Sequence, residues 1–593
     1  MFACAFETRE TEESKAPTER RRLMRREKMK LNDVWGYGQL FAFSGLEGVT
    51  RYFDDFVGTL TWKKGEIRFE LREWVKIAFP LEGKVRFRAI TGDMIDAETE
   101  KGDLFVTFVN EDALIAYAPE LPTFKGEKGL KHILSWGKDV YCTHFDKIAI
   151  DWEKREGGGY KIAIYHAFSI EGARAGVMRT LATADPEALK AKRYAYFEQM
   201  PKCRDRKYEK LYYKALSVNK VNVHSPQGTI PCRWTTPNRV PHRHMWLWDS
   251  VFHSLAMVNY NPELAKDALR AVLEQAHPDG FIPHLMAPNE CSDVTQPQVL
   301  AWGVWNVYKK TGDREFLAKY TDVLEKYLTW DMEHRDNNGN GLLEWLTEPD
   351  QLNCRCGESG LDNSPRFDFD DEMDAIDFSA FAVHDAHYLS LIFAELGDPA
   401  RAEKWQAVAD RIKDKINEEL WDEETGTYYD KLLTTGELTH VLSPLSFFPL
   451  FAGIPSAEQA KRMVALLTDK TKLWTPVPLA SISQDHPAFS TDMWRGGVWL
   501  NLNYFIIKGL QDYGYEELAE ELRRITLDTV KKWHKKTGTI FEFYDPMDKV
   551  IPYRCERKGK QPRVPDWRKQ WHSIVDFNWS SCFTLLFIQR EFY

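Results

Sequence analysis

Two kinds of apolar spacing divide the chain. From about residue 32 to 182 apolar and polar positions alternate. Ile67–Leu71, Val85–Arg88, Leu104–Phe108, Ile148–Trp152 and Tyr160–Ile164 each follow a period of two, with Gly and charged residues between them. That period puts the apolar side chains of a strand on one face, and short runs at this spacing predict a β-sandwich. After about residue 185 the spacing becomes three and four. It predicts amphipathic helices over Pro262–Gln275, Gln298–Thr311, Arg314–His334, Asp398–Leu420 and Tyr515–Trp533. Asn261-Pro262 and Asp398-Pro399 are helix-start signals, because Asn or Asp caps the first turn and Pro fits its first position. Helix after helix, joined by loops that carry the polar motifs, predicts paired helices closed into a ring. The expected fold is therefore mainly α with an N-terminal β domain: a β-sandwich over 31–185, then an (α/α)6 barrel over 186–593. A superhelical repeat array is the alternative, but no fixed-period repeat is present.

Composition changes this picture at the edges. A chain of 593 residues exceeds one ordinary core, which agrees with two domains. The net charge of -10 argues against a nucleic-acid partner. The one strongly basic run, Arg20 to Arg26, lies in a polar stretch with little apolar content, so residues 1–30 read as a solvated tail. No apolar segment follows that run, and no long uncharged apolar run occurs elsewhere. The sequence therefore predicts neither a signal peptide nor a membrane span. The nine Cys are odd in number and spread from Cys4 to Cys582, which predicts free thiols in a reducing compartment and a cytoplasmic location.

The 21 Trp point towards chemistry. Several stand beside Asp, Arg or Gly, as in Trp246-Leu247-Trp248-Asp249 and Trp494-Arg495-Gly496-Gly497-Val498-Trp499. Flat rings next to hydrogen-bonding groups suit sugar faces, although core packing with an ion pair accounts for such clusters equally well. Glu358-Ser359-Gly360-Leu361-Asp362-Asn363-Ser364-Pro365-Arg366 packs two carboxylates and an Arg into a loop of about 25 residues, and loops that long are often functional. Gly538 to Pro546 contains Glu542 between Phe541 and Phe543. If extended, it puts Glu542 and Tyr544 on one face. Asp336-Asn337-Asn338-Gly339-Asn340-Gly341-Leu342-Leu343-Glu344 places oxygen ligands at relative positions one, three, five and nine, with the Leu342 carbonyl at seven. This is most of a calcium loop, or else an Asn/Gly-rich turn.

Taken in order, these motifs resemble glycoside hydrolase family 63 and its clan, from about residue 230 to the C-terminus. The resemblance implies Asp362 as general acid and Glu542 as general base. It implies that Trp248, Asp249, Gln298, Trp302 and Arg495 hold the terminal sugar, with Glu358, Trp499 and Tyr544 also at the substrate. Gln298 after Gln296-Pro297, and Trp579-Ser580, fit the same pattern, whereas Gly497 stands where the family more often has Pro. The resemblance further implies an inverting, exo-acting α-glucosidase on small carbohydrates, with hydrolysis of mannosylglycerate or glucosylglycerate as the alternative. It implies no organic cofactor, and a structural calcium ion on Asp336, Asn338, Asn340, Leu342 and Glu344. Two readings from other classes stand beside it: a sugar epimerase, with His242, His244 and His253 near Trp248, and an inactive sugar-binding protein.

Overall fold

The computed structural model describes residues 39–559 and 572–593, apart from 54–55, 57, 64, 71–74, 126–130, 136–137, 144, 349 and 352. The N-terminal tail expected over 1–30 lies outside the described residues.

The alternating runs become two antiparallel sheets. One holds β1 (Gln39–Phe41), β2 (Gly58–Lys63), β3 (Glu66–Glu70), β4 (Lys76–Pro80) and β9 (Thr123–Lys125), in that order. The other runs β10 (Lys131–Ser135), β11 (Lys138–Cys142), β12 (Lys147–Lys154), β13 (Tyr160–Ala167), β8 (Ala113–Ala118), β7 (Gly102–Asn110), β6 (Met94–Thr99) and β5 (Val85–Ile90). Their facing sides meet in one apolar core: Phe41, Ile67, Phe69, Ile77 and Phe79 from the first sheet meet Ile90, Ile95, Val106, Phe108 and Ile164 from the second. This is the predicted sandwich. The helices begin earlier than the apolar spacing indicates. Ser169 caps α1 (Ile170–Thr183) through its side chain, and Ala173 and Val177 of α1 pack against Ile115, Ala149 and Ala163 of the larger sheet. Only a narrow apolar stripe is needed there, so the helical period is short in the sequence. Asp185 and Pro186 then start α2 (Pro186–Glu198).

The ring is built from the remaining helices. Its inner members are α4 (Leu247–Met257), α6 (Leu300–Thr311), α8 (Ile376–Leu396), α11 (Leu500–Asp512) and α13 (Asn578–Gln589), with a 3-10 stretch at Pro444–Leu450 between α8 and α11. Each packs on the next, and α13 closes on α4. Pro449 explains the 3-10 stretch, because a proline inside a helix removes a hydrogen bond and crowds the preceding turn. The outer members are α3 (Glu209–Val221), α5 (Pro262–Leu273), α7 (Arg314–His334), α9 (Pro399–Glu419), α10 (Ala457–Leu467) and α12 (Glu516–Thr537). The predicted bounds of α7 match to the residue, and the other four predicted helices fall within a few residues of those observed.

Outer and inner helices alternate along the chain, so the inner N-termini all face one end of the ring. The loops that enter them converge there, and so do the positive ends of their backbone dipoles. The sandwich docks on the barrel through buried charge. Lys220 of α3 pairs with Asp93 (2.5 Å) and Glu47 (2.6 Å), and the Leu40 backbone N–H donates to Asp576 (2.9 Å). No described helix is long and apolar enough to cross a membrane.

Candidate active site

At the end of the ring where the inner N-termini converge lies a cavity of about 320 Å³. Its lining comes from the loop and first turn of α4 (Trp246, Trp248, Asp249), the loop before α6 (Gln296) and the loop before α8 (Gly360, Asp362). The segment before α11 (Trp494, Trp499), the cap and first turn of α13 (Phe577, Trp579), Glu542, Arg557 and Lys558 complete it. Asp362 and Glu542, 180 residues apart in the sequence, thus share one cavity with Trp248, Asp249 and Trp499.

Local chemistry fixes each carboxylate. The loop of Asp362 is held by Arg366, which is fully buried and bidentate to both Asp377 (2.7 and 2.8 Å) and Asp430 (2.8 and 2.7 Å). Gly360 has a positive φ of 74°, and a Cβ there would come 2.4 Å from the Trp248 ring. Glycine therefore lets the Asp362 loop lie directly on the Trp of the opposite wall. The Asn363 side chain accepts from the Trp494 N–H (3.1 Å) and ties the same loop to a second wall. The Glu542 backbone N–H donates to Ile574 O (2.9 Å), its carboxylate accepts from the Ile574 N–H (3.3 Å), and the residue is 2 % exposed. Its carboxylate accepts from Arg557 (Nε–Oε2 3.0 Å, Nη2–Oε1 3.2 Å), whose Nη2 also reaches His242 Nε2 (2.9 Å). Burial, reinforced by the Arg557 charge, keeps His242 well below the usual histidine range, so it meets Arg557 as a neutral acceptor. Lys558 Nζ lies 2.5 Å from Asp362 Oδ2.

The rest of the cavity is prepared for hydroxyl groups. Trp494 and Trp499 stack at 3.7 Å, and Trp579 meets Trp499 and Trp248 edge-on at 5.6 and 5.4 Å. Asp249 Oδ1, Trp494 Nε1 and Trp579 Nε1 are buried without a hydrogen-bond partner. Burial first, with the charge of Glu542 adding to it, pushes the Asp249 carboxyl well above the carboxylate range. Such a group gains a hydrogen bond when a sugar hydroxyl arrives. At Gly497 the backbone N–H donates to Met493 O (3.0 Å), a bond that proline could not make.

Five residues expected at the sugar do not line the cavity. Gln298 is buried beside Asp331, and Gln296, two residues earlier, takes the lining place and accepts from the Trp248 N–H (3.1 Å). Trp302 lies inside α6 and packs on His384, Phe451, Tyr504 and Phe505, as core. Glu358 spends its oxygens on Arg335 (2.7 Å), Thr295 N (3.1 Å) and Leu346 N (2.8 Å), which makes it a loop anchor and removes it as a partner for Asp362. Arg495 pairs with Asp368 (2.6 Å) away from the lining. Tyr544 does not share the face of Glu542: the segment bends at Glu542, between the Phe541–Val575 and Tyr544–Val498 bridges, and the Tyr544 hydroxyl accepts from Phe541 N (3.1 Å). The sequence reading also missed Arg557 and Lys558. They sit in the charged run Cys555 to Lys560, which without a fold looks like a solvated face.

In the Asp336–Glu344 loop the Asn side chains make local turns. Asn338 Oδ1 accepts from Asn340 N and Asn340 Oδ1 from Leu342 N (both 2.8 Å), while their amides donate to Asp374. Asp336 Oδ1 and Glu344 Oε1 are buried without a partner, and burial pushes Glu344 up to about 7. Among the described residues no group of three or more His, Cys, Asp or Glu is preformed for a metal.

A sugar-sized cavity with two ion-paired carboxylates and unpartnered polar groups, at the mouth of an (α/α)6 barrel, is the site of a glycoside hydrolase. Residues 242–580 match the family model described as the mannosylglycerate hydrolase MGH1-like glycoside hydrolase domain. The chain belongs to that family, and the resemblance to glycoside hydrolase family 63 is borne out. Among relatives, it is 26% identical over 401 residues to the mannosylglycerate hydrolase of Rubrobacter radiotolerans, covering 53% of this chain and 88% of that one. It is 31% identical over 261 residues to an uncharacterized protein of Borreliella burgdorferi, covering 43% of this chain and about half (52%) of that relative. Among solved structures, the family 63 mannosylglycerate hydrolase of Thermus thermophilus in complex with glucose superposes with a TM-score of 0.51 at 25% identity, over 63% of this chain and 99% of that one.

Proposed function

We propose that the protein hydrolyses the α-glycosidic bond of a small glycoside such as glucosylglycerate or mannosylglycerate, with inversion. The observation that carries this is the placement of Asp362 and Glu542 in one small cavity, each against its own cation. Trp248, Asp249, Trp494, Trp499 and Trp579 hold the terminal sugar by ring contact and by the unpartnered polar atoms. Asp362 gives a proton to the leaving oxygen. Glu542, held by its bonds from Arg557, takes a proton from the water that attacks the anomeric carbon from the other side. Relatives named as mannosylglycerate hydrolases support a small substrate over an oligosaccharide, and the modest cavity agrees. Release of sugar from a panel of glucosylglycerate, mannosylglycerate and α-linked disaccharides tests the reading. Hydrolysis of the glycerates is the expected result, and activity on the disaccharides alone would restore the α-glucosidase alternative. Proton NMR of the first product should show the β-anomer. The α-anomer appearing first would remove Glu542 as base.

The epimerase reading loses its support here. His253 is buried against Thr235 (2.8 Å), and burial drives it down to about 3, while His242 serves Arg557.

A structural calcium ion in the Asp336–Glu344 loop remains part of the proposal. The unpartnered Asp336 and Glu344 oxygens, the nearby Asp374 and the Leu342 carbonyl suit a hard cation, for which the Asn338 and Asn340 amides, which donate to Asp374, would have to turn their oxygens inward. Added calcium should raise Tm and chelator should lower it, with little change in kcat. Unchanged melting together with no calcium in protein purified without chelator would defeat it.

A further inference from the structure

Two consecutive residues, Arg557 and Lys558, face the two carboxylates, and their consequences are opposite. A base must accept a proton, and a neighbouring cation is compatible with that role. An acid must carry a proton, yet Asp362 Oδ2 receives the Lys558 ammonium at 2.5 Å. Burial works against the charge on Lys558, but the charge of Asp362 outweighs it and holds Lys558 above the usual lysine range, so Lys558 rests against Asp362 as an ammonium. Lys558 must leave that oxygen before Asp362 can act. A sugar hydroxyl competes poorly with a carboxylate for an ammonium, whereas a second anion competes on equal terms.

Among the described residues that line the cavity, this task falls to Lys558. Arg557 is spent on Glu542 and His242. His242, His244 and His284 also line the cavity, and burial lowers all three below the ordinary histidine range, so they do not supply positive charge there. The backbone of Lys558 is pinned, since its N–H and that of Gly559 donate to Asp492 (2.7 and 3.0 Å). Its side chain and that of Asp362 are both reachable from the cavity, at 24% and 19% exposure. A pinned backbone with a flexible four-carbon stem allows the ammonium to swing while the loop stays in place.

We propose that Lys558 determines specificity on the leaving-group side: a carboxylate or phosphate on the aglycone draws the Lys558 ammonium off Asp362 and so allows the acid to be protonated. This rests on the reading of Asp362 as general acid. As the ammonium leaves, Asp362 takes a proton from solvent. It gives that proton to the glycosidic oxygen as the carbon–oxygen bond breaks. The water oxygen joins the anomeric carbon, and its proton passes to Glu542 and then to solvent. Lys558 returns to Asp362 when the anionic product departs. Lys558 is thus a positioning residue for the acid and a binding residue for the anion.

The test compares glucosylglycerate with glucosylglycerol, which carries CH2OH in place of the carboxylate, and with glucosylglycerol phosphate. For the unaltered enzyme kcat/KM should favour the anionic substrates by about tenfold or more, the scale of one charge-assisted hydrogen bond. In Lys558→Met the ratio should collapse towards one, and in Lys558→Arg it should recover in part. A merely structural defect would lower both substrates alike and keep the ratio. An unchanged ratio in Lys558→Met, or no anionic preference in the unaltered enzyme, overturns the proposal. The better of the two anionic substrates distinguishes carboxylate from phosphate. If the unaltered enzyme cuts none of the three, the substrate reading above fails, and calorimetry with D-glycerate and with inorganic phosphate decides the role of Lys558. Binding of either anion that is lost in Lys558→Met supports it, and binding independent of Lys558, or none, overturns it.

Discussion

Asp362→Asn and Glu542→Gln should each lower kcat by roughly a hundredfold or more, the usual scale of a lost general acid or base. Both substitutions keep the shape of the side chain. They change the ion pairs differently. Asp362→Asn frees Lys558 at a partly exposed position, so its effect on stability should be small. Glu542→Gln leaves the buried Arg557 without its carboxylate, so a lower Tm is expected as well. Rates must therefore be measured well below the melting transition of each variant. An activity near that of the unaltered enzyme in either folded variant removes that residue from the mechanism.

Arg366→Met should destabilise the fold by roughly 3–5 kcal/mol, the range for breaking a buried charge cluster from one side. Arg366 is the cation between Asp377 and Asp430, and it lies four residues after Asp362. Burial would raise the Asp377 carboxyl, but Arg366 overrides that and holds it below the usual range. The sign follows from this depression. The stabilising contribution is present above the unfolded carboxyl value of about 4 and is lost as pH falls through the lower folded value. Chemical denaturation at neutral pH should show the loss, and the difference between the two proteins should shrink in acid. Because the same guanidinium fixes the Asp362 loop, kcat should fall too. A variant as stable as the unaltered protein would show that the cluster contributes nothing net.

The fold was largely legible in the sequence, because its physics is local. Period-two runs became the sandwich, and Asn261, Asp398 and their following prolines started helices where capping chemistry says they must. The order of the motifs gave the family, and Trp248, Asp249, Asp362, Trp499 and Glu542 are the residues that meet in the cavity. The helix at Ile170–Thr183 was not legible, since it buries one narrow stripe on a sheet. Nor could the sequence distinguish Gln296 from Gln298, or show that Glu358 is an anchor.

Spacing and composition alone determined what each segment could become: strand, helix, capped start, or loop rich in carboxylates and Trp. Those properties depend on neighbours a few residues away. Which carboxylate meets which cation was decided only by the tertiary structure: the connection between α12 and α13 folds Arg557 back on Glu542, and closure of the ring sets Lys558 on Asp362, both from a charged run that reads as solvated surface. Closure also turned Trp302 and Tyr544 into packing and left Asp249 facing the cavity. Burial and pairing are long-range properties of the closed barrel, and no local window of the sequence contains them.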